Sequence, residues 1–172
     1  DLTKNAYGNS VNLGARPVTD LSGCVNDVHD WADILEARQF DVRKLLDAQA
    51  TKAEMKRAIG ELIAGAEPDD TLIITYSGHG TWVPDTSGDE ADGRDEGLCP
   101  HDIRTAGALL DDEIHALFNQ RRERVRILLL SDSCHSGSVT RGDDSDLDEG
   151  APRARFLPPE VWMTADQLPR GI

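Results

Sequence analysis

Two apolar runs, each closed by a glycine-bearing turn that carries a reactive side chain, constrain this chain more than any other feature. The first is Thr71-Leu72-Ile73-Ile74-Thr75-Tyr76, followed by Ser77-Gly78-His79-Gly80. The second is Val125-Arg126-Ile127-Leu128-Leu129-Leu130, followed by Ser131-Asp132-Ser133-Cys134-His135-Ser136-Gly137. Runs of this length and composition read as buried strands. In an open parallel sheet, chemistry gathers at the carboxyl ends of the strands. If the two runs are parallel neighbours, His79 and Cys134 emerge on one edge.

The rest of the chain supports such a sheet. Residues 23–39 are amphipathic, with Val25, Val28, Trp31, Ala32 and Leu35 on one face. Phe40 to Leu46 reads as a short strand. Thr51 and Glu54 form a capping box that opens a helix running to about Ala66. Residues 81–97, rich in Gly and Asp, read as a long surface loop, and 98–102 as a short extended piece. Asp111, Asp112 and Glu113 place three acids at the first turn of a helix ending near Arg121-Arg122. Residues 1–22 read as loop, 138–155 as a polar, acidic, mobile segment, and the proline-bearing tail 156–172 as unable to form a long helix. The alternation of helices and strands argues for an α/β fold with a mostly parallel sheet and helices on its faces.

Composition narrows the partners. The 172 residues fit a single domain, and the formal charge of -14 repels nucleic-acid phosphates and anionic lipid. Neither nucleic acid nor membrane is expected as a partner, whereas cationic peptides and metal ions are favoured. No apolar stretch approaches the ~20 residues of a membrane span. Three cysteines, at 24, 99 and 134, do not suggest a disulfide framework, so a reducing, cytoplasmic setting is expected. The oligomeric state is left open, with a monomer favoured.

A thiol beside an imidazole is the minimum machinery for a cysteine nucleophile, because the imidazole can take the thiol's proton and leave the reactive thiolate. The glycines let a substrate backbone approach closely. The backbone N–H groups of Gly80 and Cys134 could form an oxyanion hole. Asp132, two residues before Cys134, would point to the same side of an extended backbone. A carboxylate there suits recognition of a cationic substrate side chain.

Tyr76-Ser77-Gly78-His79-Gly80 together with Asp132-Ser133-Cys134-His135-Ser136-Gly137 resembles the metacaspase branch of the caspase-fold cysteine peptidases, in its bacterial or orthocaspase form. Leu21 to Asp27, Gly88 to Glu96 and Leu110 to Glu113 resemble further metacaspase segments in the same order. The resemblance implies a caspase-like three-layer sandwich, with a large-subunit-like core over about 21–140 and the start of a small-subunit-like part at 156–172. It implies Cys134 as nucleophile, His79 as base, and an acidic pocket of Cys24, Asp27, Ser77 and Asp132 that selects Arg or Lys before the cut bond. Cleavage after Asp is disfavoured, since the caspase-type Gln-Ala-Cys-x-Gly is absent.

The chemistry requires no cofactor. The resemblance does imply calcium activation, with Asp95, Asp111 and Asp112 at ligand positions, although the family's further acidic ligand falls here on Arg141, with Asp143 and Asp144 displaced. A solvated acidic loop is the competing reading. Cys99-Pro100-His101 and Cys134-His135 offer soft ligands, but at spacings unlike a zinc finger. Arg141, Arg153 and Arg155 are candidate self-cleavage sites, as in related enzymes. Residues 1–20 offer no convincing apolar strand and the chain stops at Ile172, so a shortened version or a fragment is expected. A cysteine endopeptidase is the leading expectation. The alternative is a catalytically silent caspase-fold module that binds partners or calcium.

Overall fold

The computed structural model describes residues 23–86, 88, 93–134, 155–164 and 167–168, Leu21, and the backbone of 3–4 and 10–11. Strands β1 (Thr3–Lys4) and β2 (Ser10–Val11) pair antiparallel, where the sequence reads as loop. Helix α1 (Cys24–Glu36) buries Ala32 and Leu35 and packs on the first apolar run. Helix α2 (Lys52–Gly65) buries Met55, Ile59 and Ile63, one residue per turn at i, i+4 spacing. Thr51 Oγ1 accepts from the Glu54 N–H at 3.3 Å as the capping box requires, but the Glu54 carboxylate turns to Arg57 instead of back to Thr51.

The two apolar runs form β3 (Thr71–Ser77) and β7 (Arg126–Asp132), paired parallel from Thr71↔Arg126 to Ser77↔Asp132. Among the described residues β7 pairs with β3 alone, and Leu128 is exposed, so the second run is less covered than its composition suggests. Phe40 to Leu46 forms no strand. A strand needs a ladder partner, and this segment instead borders an open cavity that β3 also lines, tied through Arg43 to Glu61 at 2.8 Å.

Along the chain, β3 and β7 are separated by a three-stranded antiparallel sheet of β4 (Gly80–Pro84), β5 (Arg94–Leu98) and β6 (Leu109–Leu110). The expected loop over 81–97 is therefore largely a hairpin. The Arg94 guanidinium stacks 4.4 Å from the Trp82 ring centroid across it. A short helix α3 (Ile103–Ala106) precedes β6, and α4 (Asp111–Phe118) follows it, ending earlier than the sequence suggests. The tail adds one helical turn, α5 (Pro159–Trp162).

The main core joins Met55, Ile59 and Ile63 of α2 to Leu72, Leu98, Leu109, Ile114 and Val125. Glu113 fastens α4 to α2: it accepts from Lys52 Nζ and Lys56 Nζ, both at 2.8 Å, and from the Leu110 N–H at 3.1 Å. Burial pushes its pKa up, but the three donors outweigh burial and leave it below the ordinary 4.5. Its contribution to stability is therefore complete above pH 4.5 and lost as pH falls through the depressed value. Glu113→Gln should cost about 1 kcal/mol at pH 7 in urea unfolding, with the gap to the parent chain closing in acid.

Candidate active site

The parallel register fixes where the two reactive side chains emerge. Ser77 faces Asp132 in the last rung, and the Gly78 N–H reaches the Asp132 carbonyl at 3.5 Å. His79 and Cys134 each lie two residues beyond that rung, on one edge, both half-buried. The turn between β3 and β4 is shaped by Tyr76. Its hydroxyl donates to the His79 carbonyl at 2.7 Å, and the Cys99 N–H donates to it at 3.2 Å. A Cβ at residue 78 would fall 2.7 Å from Tyr76 Cζ, which explains the glycine there. Burial, the largest influence, raises the Tyr76 pKa and keeps the phenol protonated as a donor. Tyr76→Phe should lower unfolding free energy by about 1–2 kcal/mol, read by chemical denaturation.

The backbone N–H groups of Gly80 and Cys134 converge. Both donate to one carbonyl oxygen, that of Arg155, at 2.8 and 3.0 Å. Two donors on one oxygen put their nitrogens within about 6 Å of each other. This is the geometry of a two-donor anion cradle at the end of the parallel pair.

Beside it sits a cluster of acidic and hydroxyl groups. Asp27, in the first turn of α1, accepts from Ser77 Oγ at 2.5 Å and from Arg155 Nη2 at 2.7 Å. Arg155 Nη1 lies 3.0 Å from Asp132 Oδ2, donates to the Asp132 carbonyl at 3.3 Å, and also donates to Ser77 Oγ. Three of the four predicted pocket residues therefore surround one guanidinium. Cys24, the fourth, lies one turn before Asp27 on α1 as a half-buried free thiol. The side chain of Asp27 is 33% exposed and that of Asp132 67%, so the guanidinium's closer, drier partner is Asp27. The Ser77 hydroxyl, then the Arg155 guanidinium, hold the Asp27 pKa down against burial. For Arg155, burial pulls the pKa down, but its bond to Asp27 and the charges around it outweigh that and leave it raised.

The three cysteines divide by setting. Burial pushes the Cys99 thiol up to about 12, so it is an inert packing thiol beside the Ile103, Ala108 and Leu157 cluster. Among the described residues, no three His, Cys, Asp or Glu side chains come together as a metal site. Asp95 is buried on β5, while Asp111 and Asp112 are exposed at the start of α4. These three do not by themselves fit calcium, and Cys99 with His101 builds no zinc site. Asp89, Glu90, Asp92, Arg141, Asp143, Asp144 and Arg153 lie outside the described residues.

A family model described as metacaspase, peptidase C14 domain matches residues 7–142, which include β3, β7 and both reactive side chains. The chain belongs to the metacaspase family. Metacaspase-1A of Aspergillus clavatus is 44% identical over 131 residues, covering 69% of this chain and 30% of that protein. Metacaspase-1A of Neurospora crassa is 41% identical over 131 residues, covering 70% and 29%. The metacaspase chain thus spans about 30% of the length of these relatives. A crystal structure of a Geobacter sulfurreducens protein superposes with a TM-score of 0.63 at 41% identity, over 78% of this chain and 48% of that one. The α/β arrangement is consistent with the caspase-like fold expected from sequence. The family is one of cysteine-type endopeptidases.

One feature of the metacaspase site escaped sequence reasoning. Arg155 reads as a cleavage candidate, with nothing nearby to say that it would sit in the acidic pocket. It also lies beyond the residues that the family model matches.

Proposed function

We propose that this metacaspase chain hydrolyses peptide bonds after Arg or Lys, with Cys134 as nucleophile and His79 as base. One observation carries the reading: a carbonyl oxygen held by the Gly80 and Cys134 N–H groups, with the guanidinium of the same residue held by Asp27, Ser77 and Asp132. That is how a peptide with Arg before the cut bond would need to lie.

In this reading His79 takes the Cys134 proton and the thiolate adds to the substrate carbonyl carbon. The developing oxyanion is held by the two N–H groups. The C–N bond then breaks, the leaving amine takes its proton from His79, and water hydrolyses the thioester. No cofactor takes part in these steps. The partner is a peptide or protein carrying Arg or Lys, which the acidic surface also favours.

A fluorogenic Arg peptide tests the proposal, with a matched Asp peptide as control. Turnover of the Arg peptide alone is expected, and turnover of the Asp peptide would sink the pocket assignment. No turnover of either by a folded chain favours the silent module. Calcium activation is proposed from the acidity of the 85–96 sequence alone. A calcium titration of the same assay should raise the rate, and a flat response removes the metal.

A further inference from the structure

The Gly80 N–H of the anion cradle belongs to a peptide unit whose other end is the His79 carbonyl. A trans peptide is planar and points its C=O and N–H in opposite directions, so whatever fixes that carbonyl also aims that N–H. Two donors fix it. The Tyr76 hydroxyl donates to it at 2.7 Å and the Cys99 N–H at 3.0 Å. The Cys99 carbonyl, 3.1 Å from the same hydroxyl, is its longer alternative acceptor. The Tyr76 ring packs against the main core, so the hydroxyl is carried on a stiff arm.

The chain beyond this peptide is fastened separately, by the downstream segment. The Leu157 N–H donates to the Gly80 carbonyl at 2.8 Å. Fully buried Thr81 donates through Oγ1 to the Leu157 carbonyl at 2.8 Å, and Trp162 Nε1 donates to that Oγ1 at 3.0 Å. What Tyr76 holds is therefore the plane of the His79–Gly80 peptide.

Resting on the peptidase reading above, we infer that Tyr76 is a positioning residue for the reaction: through the His79 carbonyl, its hydroxyl aims and polarises the Gly80 N–H that receives the oxyanion. Aiming matters because a donor already in place need not reorganise when charge develops on the substrate oxygen. Polarisation adds to it, since a hydrogen bond on the carbonyl side of a peptide strengthens the N–H on the other side by about 10–30%. Burial raises the Tyr76 pKa, so the hydroxyl keeps its proton and remains a donor. Tyr76 itself touches no reacting atom and moves no proton.

The test is Tyr76→Phe, which removes one oxygen. The kcat for an Arg peptide should fall about tenfold, a fraction of the about 10²–10³-fold that loss of a whole oxyanion donor costs. KM should stay within about twofold, because the interaction is made in the transition state. Alkylation of Cys134 by iodoacetamide, read by mass spectrometry at that residue, needs the thiolate but no oxyanion donor. Its rate and pH profile should match those of the parent chain. An alkylation rate that falls together with kcat would put the effect on the thiol and imidazole and overturn the inference. An unchanged kcat, or a loss carried by KM, would overturn it too, with the peptidase reading left standing. A parent chain that turns over nothing removes the peptidase reading, and the inference falls with it. Should Tyr76→Phe not fold, difluorotyrosine at position 76 keeps the ring and makes a stronger donor. The kcat should then rise about twofold at equal KM, and an equal or lower kcat refutes the inference.

Discussion

Replacing Cys134 by alanine should lower turnover of an Arg peptide by about 10⁴-fold or more, since removal of a nucleophile leaves only cradle and binding effects. His79→Ala should fall in the same range, and the double substitution should cost little beyond either single one, because the pair acts as a unit. Neither change should shift the unfolding midpoint much. Both residues lie past the ends of their strands and outside the buried clusters. A residual rate within about tenfold of the parent chain would mean that other groups carry the chemistry.

The second large effect concerns the pocket, whose two carboxylates should separate cleanly. Asp27→Ala strips the guanidinium of its less exposed partner and leaves Ser77 Oγ without its acceptor. It should lower kcat/KM for Arg peptides by about 10²-fold, as losing one partner of a half-buried, hydrogen-bonded charge pair does. Asp132→Ala removes a mostly exposed carboxylate and should cost about three- to tenfold, because solvent screens that pair. Measuring both variants on Arg and neutral peptides decides the ranking, and equal losses would refute it. The pH dependence has a fixed sign. The Asp27 pKa is held below its ordinary 3.8, so its hold on an Arg side chain persists above that pH. It weakens only as pH falls through the depressed value.

Much of this site was legible because its parts are local. The two apolar runs announce their strands, and equal offsets past the last rung put His79 and Cys134 on one edge. The β4–β5 hairpin was not legible. Arg94-Asp95-Glu96-Gly97-Leu98 has no apolar alternation, and it becomes a strand only by pairing with Gly80–Pro84. Phe40 to Leu46 shows the opposite error, an apolar pattern that finds no ladder among the described residues. The seat of Arg155 depends on Asp27, 128 positions away, and no local pattern reports a contact of that range.

The link from Trp162 through Thr81 to Leu157 gives the molecule its own optical gauge. An indole whose N–H is bonded to a fully buried hydroxyl reports the polarity next to Gly80. Were the downstream segment to peel away, that indole would meet water and its emission would shift to the red. With Trp31 and Trp82 changed to phenylalanine, a fluorimeter could follow release of the tail in real time, without label or substrate.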